Sequence, residues 1–319
     1  MKNKYRISLI TGVLVCLLFS CEQYAIFDSI AKEIKPKPAL IKGTPSKIVE
    51  GSGGKLYVAN GDLWEYSGDP DDRWSEIPAS SGVRDVATVG SDVYIISVGN
   101  SPSLSKLDGG TISVPETVQG IFGANNTLFI ATGSDNSYSV YKYDGNSPAQ
   151  SIGVVSGLLH GAAYYNDGTV DHYYLATSEG LYHSTDGSSF SSIDTGKFLG
   201  VIALTDKAVA VTGSTVYEVV GETPPTQSIS VDSLTGALAV SGDMLYLGRT
   251  RGYRTIDTNA ADWESKTPTT TNYTSTIAQV QVVSMYAVSN DLIFSSVRSS
   301  EPKQSGLMSL REDSWNMEE

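Results

Sequence analysis

One short apolar strand with an aromatic or β-branched centre returns seven times along this chain. It reads KLYVA at 55–59, DVYII at 92–96, TLFIA at 127–131 and HYYLA at 172–176. It continues as KAVAV at 207–211, MLYLG at 244–248 and DLIFS at 291–295. The centres are Tyr57, Tyr94, Phe129, Tyr174, Val209, Tyr246 and Ile293, spaced by about 39 residues on average. Recurrence at that period means one supersecondary unit that cannot bury its apolar faces alone and must stack on its copies.

The sequence around each anchor repeats as well. An apolar segment precedes it, as in 83–89, 118–123, 199–204 and 234–240. A third strand follows, such as Leu63–Tyr66, Val140–Tyr143, Leu181–His183 or Val216–Glu218. A fourth is marked by Trp74, Ile112, Phe190, Trp263 or Trp315. Asp108-Gly109, Asp144-Gly145 and Asp186-Gly187 read as tight turns between the third and fourth strands, because the hairpin turn they favour needs positive φ. Units over 46–80, 83–116, 118–153, 158–194, 198–229, 234–266 and 278–317 fill the chain. The expectation is an all-β, seven-bladed β-propeller of four-stranded antiparallel blades, whose closure leaves no unmatched end blade. An outer-membrane barrel alternates too, but strands of about 4–6 residues fall short of the roughly 9–11 needed to cross a bilayer.

The first 20 residues have a different character. Residues 1–6 (MKNKYR) are basic and 8–19 (SLITGVLVCLLF) nearly all apolar, the pattern of an export signal too short to be a comfortable membrane span. Leu18-Phe19-Ser20-Cys21 resembles the lipobox of bacterial lipoproteins, although Phe19 stands where a small or β-branched residue is usual. The resemblance implies cleavage before Cys21 and lipidation of its thiol, so that the protein sits in the bacterial cell envelope. Residues 1–20 are then signal, 21–45 lipidated cysteine and tether, and 46–319 the propeller. Lys32-Glu33-Ile34-Lys35-Pro36-Lys37-Pro38 reads as a semi-extended spacer. Cys16 leaves with the signal and Cys21 is capped, so the domain stands without a disulfide or free thiol.

Composition excludes several functions. The net charge is −13, and loss of Lys2, Lys4 and Arg6 leaves 19 basic against 35 acidic residues. Such an excess argues against non-specific binding to DNA, RNA or an anionic membrane surface, and no nucleic-acid partner is expected. Three histidines, at 160, 172 and 183, and two cysteines offer no metal-ligand spacing, and no cofactor is implied. Asp69-Pro70-Asp71-Asp72 lacks the spaced ligand set of a calcium loop and reads as a turn.

Ser184-Thr185-Asp186-Gly187-Ser188-Ser189-Phe190 resembles the Asp-box of BNR repeats, one residue shorter and with phenylalanine for tryptophan. The resemblance implies a structural hairpin whose aspartate accepts backbone N–H bonds and whose aromatic packs between sheets. Sialidases share Asp-boxes and a propeller, but the Arg-Ile-Pro of their first blade is missing here. No catalytic residue can be carried across, and no Ser-His-Asp order or paired-carboxylate geometry replaces it.

In up-and-down blades, the loops leading into the innermost strands share a face with the loops joining second and third strands. This places Lys47, Arg84, Gln119, His160, Leu199 and Thr235 around the mouth of the central channel. Arg249 and Arg251 in unit six and Arg298 in unit seven belong to the same face. Clustered arginines there suit a carboxylate, phosphate or acidic partner. His172 and His183 read as ordinary hairpin residues. Tyr138, Tyr141, Tyr143, Tyr164 and Tyr165 suit protein or sugar contact, with filling of blade interfaces the commoner use. The expected function is a non-enzymatic, lipid-anchored envelope propeller that binds a protein partner. The alternative is a carbohydrate-binding or carbohydrate-active propeller that takes an acidic glycan on its arginine-bearing face.

Overall fold

The computed structural model describes residues 40–319 except 69–72, 79–81, 99–101, 135–136, 146–147, 226, 260–268, 271–275, 301–304, 312–313 and 319. Cys21 with its signal and tether, the Asp69–Asp72 turn and Trp263 lie outside the described residues.

Seven four-stranded antiparallel sheets follow one another in chain order, each with its strands in sequence order. The innermost strands are Val49–Glu50, Val83–Val89, Val118–Ala124, Leu159–Asn166, Gly200–Ala203, Leu234–Ser241 and Gln281–Ser289. Every anchor segment forms the second strand of its blade, from Leu56–Ala59 in blade one to Leu292–Arg298 in blade seven. These strands are apolar on both faces because each is sandwiched between two neighbouring blades. The outermost strands of blades one, two, three and six are two residues long. Such short edges offer little backbone for another sheet to pair with. Gly145 and Gly187 take φ of +91° and +65° in their Asp-Gly turns, while Gly109 does not enter the positive-φ region.

The buried side chains do not form one core. They fall into seven clusters, one at each interface between adjacent blades. Between blades three and four, the Phe129 and Phe190 rings meet edge-on at 5.8 Å. Toward the axis the inner strands converge until a β-carbon no longer fits. A Cβ on Gly123 would stand 1.8 Å from the Thr88 carbonyl oxygen of the preceding blade.

Blade seven closes on blade one. Phe294 packs edge-on against Tyr66 at 4.9 Å and Trp74 at 5.4 Å. The Ile48 amide donates to Ser284 Oγ at 3.0 Å, and Ser296 Oγ to the Ser46 carbonyl at 2.9 Å. Ile41, in the stretch assigned by sequence to the tether, is only 1% exposed and belongs to the same cluster. Among the described residues, Leu40 and Lys42 are bonded into the ring as well.

Phe294 is fully buried at the closing interface. Its replacement by alanine is expected to cost about 3–5 kcal/mol, as for other large-to-small changes of a buried aromatic. Val154→Ala, at a side chain 62% exposed, should stay within about 0.5 kcal/mol of the parent. Urea unfolding of the two variants, with the slope checked for constancy, measures the difference.

Candidate functional site

The innermost strands surround an axial cavity of about 360 Å³. Its wall includes Lys47, Phe122, His160, Leu199, Thr235 and Ser284, from blades one, three, four, five, six and seven. Apolar side chains alternate with polar backbone around the wall, and an ammonium and an imidazole are set into it.

The strands reach this mouth irregularly. Ladder pairing breaks between Val83 and Asp85, between Leu159 and Gly161, and between Val282 and Ser284. The third blade has its break opposite Ala131 and Thr132, which pair with Gly120 and Val118. Arg84, Gln119, His160 and Val283 are therefore bulged residues at matching places in four blades. A bulge removes a residue from the ladder and re-aims its side chain, which accounts for polar side chains at the start of strands otherwise buried.

These side chains tie the ring together. Lys47 Nζ lies 2.5 Å from Asp85 Oδ1 of the next blade and 4.5 Å from the centre of the Phe122 ring. Asp85 also accepts the Ile121 amide of blade three at 3.1 Å through Oδ2. One carboxylate thus links three blades. Arg84 Nη2 donates to the Val118 carbonyl of blade three, and its buried Nε has no hydrogen-bond partner. His160 Nδ1 donates to the Phe198 carbonyl at 2.6 Å. That bond fixes the tautomer and leaves Nε2 as the lone-pair nitrogen of the neutral ring. Gln119 Nε2 donates to the Gly133 carbonyl within its own blade at 2.6 Å.

Of the residues expected at the mouth, Lys47, His160, Leu199 and Thr235 line the cavity together. Arg84 and Gln119 are bound to backbone beside it. Arg249 is 9% exposed, its Nε donating to the Asp232 carbonyl at 2.9 Å and its Nη2 to the Asp232 carboxylate. Arg251 shares a separate depression of about 280 Å³ with Arg249, Ala278 and Gln279. Arg298 is exposed, with Nε 3.4 Å from Thr44 Oγ1. The arginines are thus divided between blades six and seven. Phe122, Asp85 and Ser284 were not singled out from sequence. Phe122 sits in an apolar run that gives no sign of facing the axis.

Blade four carries a second polar arrangement away from the mouth. His172 and His183 are 7% and 2% exposed. Asp167 Oδ2 accepts from His172 Nε2 at 3.2 Å, and His172 Nδ1 and His183 Nε2 share one hydrogen bond at 3.0 Å. Tyr165 stacks on His172 at 4.8 Å, and Tyr174 leans on His183 at 5.0 Å. These two histidines are a buried relay between strands rather than ordinary hairpin residues. Sequence alternation puts both on strands but does not show that their rings meet.

In the adjoining hairpin, Asp186 accepts the Ser188 and Ser189 amides at 2.7 Å each, and these bonds with the Ser184 hydroxyl hold its carboxyl well below the usual range. Phe190 is buried between blades. Among the described residues no group of three or more His, Cys, Asp or Glu side chains is placed to hold a metal ion.

No protein-family profile and no curated protein matches the sequence. Solved structures do match the fold. YCF48 bound to D1 peptide superposes with a TM-score of 0.58 at 12% identity, over 88% of this chain and 95% of that one. PorZ, a bacterial surface component of the type-IX secretion system of Porphyromonas gingivalis, gives 0.55 at 13% identity. The alignment covers 88% of this chain but 39% of PorZ. The extracellular domain of BT4673 from B. thetaiotaomicron gives 0.54 at 12% identity, over 87% of this chain and 40% of that one. At such identities the likeness is one of fold.

Burial, followed by the neighbouring His172, lowers the His183 pKa below its ordinary 6.5, while Glu222 works the other way. Asp167 and Asp171 are the other charged groups at the relay, facing His172. Below pH 6.5 the unfolded chain takes up a proton at His183 that the folded chain refuses. Stability at this site is therefore intact above pH 6.5 and falls by up to about 1.4 kcal/mol per pH unit below it, until the folded pKa is reached. His183→Gln should flatten that slope in denaturation midpoints measured from pH 7.5 to 5. An unchanged slope would assign the acid sensitivity to other groups.

Proposed function

We propose that this chain is a lipid-anchored binding protein of the bacterial cell envelope that holds a segment of a protein partner at its channel mouth, without catalysing a reaction. The axial cavity carries this reading. Its wall combines apolar surface with Lys47 and His160, each fixed by one bond and each keeping hydrogen-bonding capacity for a ligand. Rigid polar groups set in apolar surface suit an extended segment that buries side chains and presents backbone or acidic groups. The likeness to YCF48, which was solved with a D1 peptide, supports a peptide as the occupant. The envelope setting has the Cys21 pattern behind it, and the likeness to a surface component and to an extracellular domain agrees with it.

The glycan alternative needs arginines free to grip a carboxylate. Arg249 is held by Asp232, and Arg251 and Arg298 do not line the cavity, which favours the protein partner.

A photo-crosslinking amino acid at position 235 in native cells should give discrete protein adducts, while the same group at position 243, on the opposite face, should give none. No adduct from position 235, or the same adducts from both positions, would overturn the reading. Acidic-glycan binding lost in Arg251→Ala plus Arg298→Ala, with no protein adduct, would replace it with the carbohydrate alternative.

A further inference from the structure

The ring receives its N-terminal chain on the face that carries the channel mouth. Lys42 forms an antiparallel bridge with Gly306, the Leu307 amide donates to the Ile41 carbonyl at 3.3 Å, and the Leu40 amide donates to the Glu318 carbonyl at 2.8 Å. Gly306 opens the third strand of blade seven and Glu318 follows its fourth. Both ends of those strands lie where the innermost strands begin. From this clamp the chain passes Thr44, which meets Arg298, and reaches the cavity at Lys47.

Charge divides between the two faces. The loops of the far face carry exposed Asp108, Asp144, Asp206, Asp243, Asp257 and Asp291, with exposed Arg73 among them and Lys55 and Lys106 paired to Glu65 and Asp92. The channel-mouth face carries exposed Lys42, Lys197, Arg251 and Arg298 beside Glu116, Glu179 and Asp232. Asp232 is paired there with Arg249 and Arg254.

We infer that the lipid-anchored molecule turns its channel-mouth face toward the bilayer, so that the channel takes membrane-proximal segments of its protein partner and the acidic face looks away. This rests on the anchoring at Cys21 proposed above. Residues 22–39 separate Cys21 from the clamp. That length spans at most roughly 60 Å when fully stretched. Innermost strands of seven to nine residues stand about 24–30 Å tall. Bringing the far face to the membrane would make the chain double back along a whole blade and round its rim, using up about half of that length or more. It would also press the acidic loops against anionic lipid headgroups, which repel them.

The test uses the full-length lipidated protein in vesicles of phosphatidylethanolamine and phosphatidylglycerol. The only native cysteines are at 16 and 21. Lys197→Cys and Asp243→Cys therefore each carry a single fluorophore, one on each face. Energy transfer to a rhodamine-labelled lipid should be more efficient from position 197 than from position 243. Flotation with the vesicles but equal or inverted transfer overturns the orientation alone. Failure to float overturns the anchoring reading and the orientation with it.

Discussion

Each blade is a sheet with two apolar faces and no room for a core of its own, and burial of those faces against neighbouring blades is the constraint on which everything else depends. Seven interfacial clusters meet that demand. The closing one matters most, because an open ring would leave two sheet faces in water. Tyr66, Trp74 and Phe294 fill it, and the Leu40–Lys42 segment covers its edge. The N-terminal chain is thereby part of the closure.

Closure also creates the channel. Converging inner strands leave an axial space too narrow for regular pleated packing, and the bulges at Arg84, Gln119, His160 and Val283 relieve it. Their side chains first serve the ring, as Lys47 does with Asp85 and His160 with the Phe198 carbonyl. The polar groups of the channel mouth are thus each held in place by a bond within the ring. The Asp167–His172–His183 relay is a separate device. It joins strands inside blade four and has no part in the cavity.

Much of the fold was legible in the sequence. A period of about 39 residues, apolar second strands and Asp-Gly turns are local signals, and they placed all seven blades, although the fourth strand of blade six falls at Thr269–Thr270, beyond the 234–266 unit. The site was legible in part. Counting from the anchors put Lys47, His160, Leu199 and Thr235 at the channel. It did not separate them from Arg249, which looked equally available and is held by Asp232. Asp85 carried no signal, because its partners Lys47 and Ile121 lie in other blades.

The sequence by itself determined the repeat, the blade count and the polarity of each unit, because strand periodicity and turn chemistry act over a few residues. Only the tertiary structure decided which charges are paired, that His172 and His183 meet, and that the N-terminal chain and the channel share a face. Those outcomes depend on side chains brought together by ring closure across up to 254 residues of chain, as between Thr44 and Arg298. No local pattern encodes a distance of that kind.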